Sequence, residues 1–304
     1  MENQKQTGGN ASSSVSGRGA RWIACLVLLY AVAAQGSDPL SFASDEVKRI
    51  LAHGPWPPPG APDPSNRVSG RPQAIALGER LFFSPRLSGG GTLLCASCHE
   101  PWRGYADGRM RGLGIQALER NTPTVLNARL NRWFGWDGAN DNLWAQSIRP
   151  LLEPREMGSN ATAIAALIRG DADLAKEYRA AFGAGLPTDD EALFVDVGKA
   201  LAAYQETLVS DRTPFDEFRD ALAKGDSLPS AGYQVAAQRG LKLFIGKGQC
   251  ARCHAGPNFT DGAFHRVGAA PGNAGEVPDM GRQTGIRKLL ASRYNLLGPY
   301  NDDP

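Results

Sequence analysis

Cys95-Ala96-Ser97-Cys98-His99 and Cys250-Ala251-Arg252-Cys253-His254 are two copies of one pattern, Cys-x-x-Cys-His. Two thiols at this spacing can each add across a vinyl group of a protoporphyrin, and the histidine that follows is then placed as an axial ligand to the iron. The pattern predicts two covalently bound haem c groups. Cys95, Cys98, Cys250 and Cys253 are the attachment residues, His99 and His254 the iron ligands, and redox chemistry is the consequence. Four thiolates could instead hold one tetrahedral zinc, but the two pairs lie roughly 150 residues apart, far beyond ribbon spacings. The fifth cysteine, Cys25, falls in the N-terminal segment, so none is left for a structural disulfide.

Each motif needs a scaffold, and the same short pattern precedes both. Gly78, Leu81 and Phe82 stand before the first and Gly240, Leu243 and Phe244 before the second. Both triplets run i, i+3, i+4, which puts Gly, Leu and Phe on one face of a helix. The recurrence predicts two copies of a cytochrome c-like module. Between them, Ala161 to Arg169, Leu174 to Phe182 and Glu191 to Leu208 read as helices, with Asp189 or Asp190 able to cap the last. Alternating strand patterns are scarce. The expected fold class is all-α, two cytochrome c-like domains, each around its own haem. Residues 37–70, with Pro55, Pro57, Pro58, Pro59, Pro62 and Pro64, read as a stiff extended lead-in, the folded part starting near Arg71. The first haem domain is placed at 71–224 and the second at 225–304, with Gly225 to Gly232 as the link.

Residues 1–36 read as a signal peptide. Arg18 and Arg21 precede the apolar run Trp22 to Ala34, which ends in small residues. That run is shorter than the roughly 20 residues of a transmembrane helix, so no stable membrane span is expected. A periplasmic location follows, in keeping with where c-type haem is attached. Removing residues 1–36 takes Lys5, Arg18, Arg21 and Glu2 from the 33 basic and 31 acidic side chains, leaving 30 of each. A neutral apoprotein, made mildly acidic by haem propionates, favours neither nucleic acid nor an anionic membrane as partner.

Three further segments carry a resemblance: Arg120-Asn121-Thr122-Pro123-Thr124-Val125-Leu126-Asn127, Phe134-Gly135-Trp136-Asp137-Gly138, and Pro154-Arg155-Glu156-Met157-Gly158. Together with the haem motifs they resemble the bacterial dihaem cytochrome c peroxidase family, which includes the methylamine-utilisation enzyme MauG. The resemblance runs from about Pro72 to the C-terminus. It implies a peroxide-reacting first haem and an electron-relaying second haem. The family places a glutamine ten residues and a glutamate twenty residues after a tryptophan between the haems, and Trp136, Gln146 and Glu156 stand at those offsets. Cleaving the O–O bond of hydrogen peroxide requires a proton moved from one oxygen to the leaving oxygen, which a carboxylate above the open haem face can carry. Glu156 is the candidate for that transfer. Gln146 could hold the peroxide, and Trp136 could pass an electron between the haems or simply pack against one. Asn121 resembles a calcium ligand between the domains, although a turn residue before Thr-Pro reads the same way.

Two features depart from the family pattern. No histidine lies between His99 and His254, so a distal cap on the first haem has no obvious donor. An open, five-coordinate first haem is expected, which is closer to MauG. The chain also ends 50 residues after His254, before the Thr-x-Pro calcium segment and the Met or Tyr sixth ligand that the family implies, as a shortened chain would. Met280, His265, Tyr294 and Tyr300 are the nearby substitutes, each expected to be structural. The resemblance implies reduction of hydrogen peroxide by electrons from a small cytochrome c or cupredoxin. The alternatives are a MauG-like oxidation of side chains on a protein substrate, and a non-enzymatic electron-transfer cytochrome.

Overall fold

The computed structural model describes residues 40–183, 185–226, 232–266 and 280–303. The expected export signal with Cys25 lies outside the described residues, as does most of the expected link at 225–232. Ten α-helices form the described part: α1 Ser44–Leu51, α2 Pro72–Phe82, α3 Cys95–Cys98, α4 Leu143–Leu152, α5 Ala161–Gly170, α6 Ala172–Phe182, α7 Asp190–Gln205, α8 Pro214–Lys224, α9 Val235–Ile245 and α10 Arg282–Ala291. Among the described residues only isolated bridges occur where a strand could be, and the fold is all-α. No described helix is long and apolar enough to cross a membrane.

Helix α7 is the centre of the larger core. Every residue from Leu193 to Gln205 is buried, which requires neighbours all round, and α2, α4 and α5 supply them. Close approach is made possible by glycine: a methyl group at Gly78 of α2 would overlap the Ala200 carbonyl, and one at Gly198 would come within 2.9 Å of the Trp144 carbonyl of α4. Asp189 caps α7 by accepting from the Glu191 amide, while Asn142, Asn160 and Asp171 cap α4, α5 and α6. The expected helices at 161–169 and 174–182 are present, slightly longer. The one expected to reach Leu208 stops at Gln205, because Thr207 and Leu208 bond back into a turn.

A smaller core gathers Ile50 of α1, Phe218 of α8, and Leu241 and Ile245 of α9. The folded part therefore begins well before Arg71. Trp56 is buried in the proline-rich stretch and donates its indole N–H to the Ser210 carbonyl at 3.0 Å. His53, also buried, lies with Nδ1 2.9 Å from the Arg49 carbonyl and Nε2 3.0 Å from that of His254. Tertiary contacts, not local pattern, order this segment. At the other end, the buried Lys199 of α7 pairs with Asp302 at 2.6 Å and donates to the Tyr300 carbonyl at 2.8 Å. The residues after α10 thus return to the larger core.

Candidate functional site

The first motif forms α3, and His99 follows as its C-terminal cap. Its Nδ1 donates to the Tyr105 carbonyl at 3.1 Å, which fixes the ring and makes Nε2 the nitrogen that could ligate a metal. Burial pushes the His99 imidazole down, toward the neutral form that binds metal, against the opposing pull of the Tyr105 and Pro123 carbonyls. Burial likewise pushes the Cys95 thiol up to about 12 and raises Cys98, to which the charges of Asp107 and Glu156 add. Neither is in a disulfide.

The second motif repeats this arrangement. His254 Nδ1 donates to the Phe259 carbonyl, also at 3.1 Å. Tyr105 and Phe259, the two acceptors, both adopt the left-handed conformation, with φ of 58° and 52°. Phe82 lies 6.4 Å from the His99 ring at 40°, and Phe244 lies 6.3 Å from the His254 ring at 38°. The internal repeat is therefore structural as well as sequential. Its surroundings differ: Gly78, Leu81 and Phe82 are buried, whereas Gly240 and Leu243 are exposed and Phe244 is half-buried.

A cavity of about 800 Å³ opens beside the first motif. Cys95, Cys98, His99, Asn121, Trp136, Gln146 and Glu156 all line it, so the residues expected to act together do share one space. Its far wall comes from Pro257 to Phe264, the segment that follows the second motif. Cys250, Cys253 and His254 do not line it. They lie at the surface, Cys250 and His254 exposed. Among the described lining residues His99 is the one histidine. His265 faces Asp261 at 2.7 Å instead, Met280 is exposed, and Tyr294 donates to Glu191 of α7 at 2.7 Å and stacks near Tyr300.

Two residues that sequence reasoning did not single out, Arg149 and Asn140, shape the chemistry of this cavity. Arg149 meets Glu156 through two contacts, Nη1 to Oε1 at 2.8 Å and Nη2 to Oε2 at 3.2 Å. Asn140 donates to Gln146 Oε1 at 2.8 Å, which leaves the Gln146 NH2 group for a guest. Asn121 acts through its main chain, its carbonyl accepting the Trp136 indole N–H at 2.7 Å, while its side-chain amide donates to the Arg109 carbonyl. No spacing rule flags Arg149 or Asn140. Arg149 reaches Glu156 because α4 turns at Pro150, which cannot donate to the Gln146 carbonyl, and the chain folds back so that Met157 N bonds the Pro150 carbonyl at 3.2 Å, while Asn140 is held ahead of α4 by its backbone bonds with Phe134.

The Glu156 loop is seated on glycine. Gly114 packs so that a Cβ would stand 2.6 Å from both the Arg155 carbonyl and Glu156 Cα, and Gly89 donates to the Met157 carbonyl at 2.8 Å. Ile115 and Gln116 amides hold the Glu156 and Arg155 carbonyls at 3.1 and 3.0 Å. The carboxylate is thus carried on a backbone fixed from two sides.

A family model described as di-haem cytochrome c peroxidase matches residues 72–224, from the start of α2 to the end of α8. The chain belongs to the di-haem cytochrome c peroxidase family. Among curated relatives of this peroxidase family, the methylamine utilization protein MauG of Methylorubrum extorquens is 39% identical over 75% of this chain and 61% of its own. The cytochrome c551 peroxidase of Pseudomonas aeruginosa is 34% identical over 68% of this chain and 58% of its own. The chain spans about three-fifths of the length of these relatives. A crystallised variant of the diheme peroxidase BthA from Burkholderia thailandensis superposes with a TM-score of 0.60 at 26% identity, covering 78% of this chain and 64% of that one.

The residues of this chain fit the cofactor its family is named for. At the first site the paired thiols, a neutral imidazole fixed through Nδ1 and a cavity of cofactor size converge. At the second, the same imidazole geometry recurs, and Leu243, on the helix that precedes the motif, is an exposed apolar side chain of the kind a flat macrocycle would cover.

Proposed function

We propose that this protein is a dihaem c-type cytochrome peroxidase that reduces hydrogen peroxide to water. In this reading haem c is attached through Cys95 and Cys98 at the first site and through Cys250 and Cys253 at the second, with His99 and His254 as iron ligands. Haem supplies the iron that takes up electrons one at a time and delivers them to the peroxide. The reaction consumes one peroxide, two electrons and two protons and yields two waters.

The observation that carries this reading is the presence of Glu156, Gln146 and Trp136 in the one cavity that the first motif lines, with the segment after the second motif as its far wall. Glu156 takes the proton from one peroxide oxygen and returns it to the leaving oxygen. A carboxylate accepts a proton only as the anion, the form that pairs with Arg149. Gln146 donates its free amide hydrogens to the peroxide, and Asn140 fixes the amide that does so. Trp136, anchored through its indole N–H and more than half exposed toward the cavity, passes electrons between the two halves. Those electrons come from a small cytochrome c or cupredoxin at the second site, where Cys250 and His254 are exposed. Periplasmic residence accords with haem c attachment and with the export-like residues 1–36. A calcium ion, if bound, would take the Asn121 carboxamide oxygen, since the amide nitrogen is engaged.

The test is peroxide consumption by the haem-loaded protein with a reduced small cytochrome as donor. Turnover that depends on both supports the reading, and formation of a stable oxidised protein without donor-dependent turnover contradicts it. A MauG-like oxidation of a protein substrate is the second reading, favoured by the absence of any second histidine among the described cavity residues and by the similarity to MauG.

A further inference from the structure

Trp136 sits on a tight turn that is gripped from outside by a helix with no part in the haem motifs. The turn spans 134–140. Phe134 and Asn140 bond each other's backbone at 2.9 and 3.4 Å, and Gly135 and Gly138 take φ of 76° and 63°, which side chains resist. Helix α10 lies directly on it. Gly285 of α10 faces the Asp137 peptide so closely that a methyl group there would overlap the carbonyl oxygen. Arg282 donates Nη1 to the Asp137 carbonyl at 3.2 Å and to the Gly138 carbonyl as well. Its guanidinium lies 4.5 Å from the ring centroids of both Trp133 and Phe264, so its plane is held between two aromatic side chains. Lys288, one turn beyond Gly285, pairs with Asp137 Oδ2 at 3.2 Å.

These contacts converge on the two residues after Trp136. Phe264 belongs to the far wall of the cavity, so Arg282 also ties that wall to the turn. We propose that α10 is a positioning element for Trp136: through Arg282 and Gly285 it sets where the indole stands between the two halves, and with that the rate at which an electron crosses. The inference rests on the reading of Trp136 as an electron relay. Arg282 is a positioning residue, acting only through the turn and the wall it joins. Electron transfer falls steeply with distance, so a shift of the turn that moves the indole away from either half slows the crossing.

The experiment uses the full haem-loaded chain. One electron per molecule is introduced by rapid mixing with a limiting chemical reductant, and the redistribution between the haems is followed optically. Three proteins are compared with the unaltered one: Arg282→Gln, Gly285→Ala and, as reference, Trp136→Phe. The expected result is that all three slow redistribution severalfold, with both haem midpoint potentials unchanged. Arg282→Lys, which keeps a donor for one carbonyl, should recover part of the rate. Hydrogen exchange at the Phe134 and Gly138 amides should quicken in Arg282→Gln and not in Trp136→Phe. Should Gly285→Ala fail to fold, Arg282→Gln carries the comparison, because its half-buried side chain leaves no unpaired charge behind. Slowing in Trp136→Phe with unchanged rates in both α10 variants overturns the proposal and leaves the relay reading standing. An unchanged rate in Trp136→Phe overturns both.

Discussion

Arg149 holds Glu156 by two contacts, at 2.8 and 3.2 Å, in the wall of the cavity that His99 also lines. A planar guanidinium matches a carboxylate in this way, and a lysine ammonium does not. Arg149→Lys should therefore keep the charge and loosen the carboxylate, lowering kcat for peroxide by about tenfold. Arg149→Met should lower it by roughly a further tenfold, within the range by which positioned acid-base groups accelerate reactions. Steady-state kinetics on the haem-loaded variants checks the order of the two effects.

Gly114 offers a probe of Glu156 that leaves its carboxyl intact. A Cβ at that position would stand 2.6 Å from Glu156 Cα and from the Arg155 carbonyl, closer than packed atoms allow, so the loop must shift. Gly114→Ala should lower kcat with little change in either haem spectrum. Equal kcat in the variant would show that the loop position is not critical.

The repeated Gly-Leu-Phe pattern gives two glycines at corresponding positions with opposite expected responses. At Gly78 a methyl group meets the Ala200 carbonyl of α7, and overpacking of this kind costs about 1–3 kcal/mol. At Gly240 nothing lies within 4 Å, and replacing a helical glycine by alanine gains about 0.5–1 kcal/mol. Thermal unfolding of Gly78→Ala and Gly240→Ala should move in opposite directions.

Glu206 makes the fold sensitive to pH near neutrality. Burial pushes its carboxyl up to about 7, against the Ser69 hydroxyl that donates to it at 2.5 Å. Oε1 is buried without a partner. A carboxyl that holds its proton more tightly folded than unfolded contributes stability below its unfolded value of about 4.3, and loses it as pH rises toward 7. The loss is on the order of 3–4 kcal/mol at full ionisation. The melting temperature should fall between pH 5 and pH 8, and Glu206→Gln should flatten that fall.

What the sequence discloses depends on how local the cause is. Helices α5 and α6 are legible because an Asn or Asp cap and an i, i+3, i+4 apolar pattern stand at each, and α7 because an Asp cap precedes a long, largely apolar run. The end of α7 is misjudged at Leu208, since no glycine or proline marks Gln205. Both haem motifs follow from their own spacing, and the Trp136, Gln146 and Glu156 triplet from the family resemblance. Arg149 and Asn140 do not, because each meets its partner only after the chain reverses around α4 and the 134–140 turn. Prolines near Trp56 read as an extended lead-in, while the burial of Trp56 and His53 comes from Ser210 and His254, more than 150 residues away. Helix α10 escapes notice for a related reason: its Gly285 weakens the helical signal and is explained only by the Asp137 peptide it faces.

The measurement that bears hardest on the proposed chemistry is the rate at which hydrogen peroxide oxidises haem-loaded Glu156→Gln, set beside the unaltered protein by rapid mixing. Glutamine keeps the size of the side chain and removes its capacity to carry a proton. If Glu156 moves the proton between the peroxide oxygens, the rate constant falls by about 10²–10⁴-fold while both haems remain bound and His99 remains a ligand. A rate constant equal to that of the unaltered protein would contradict the assignment and with it the peroxidase reading of this cavity.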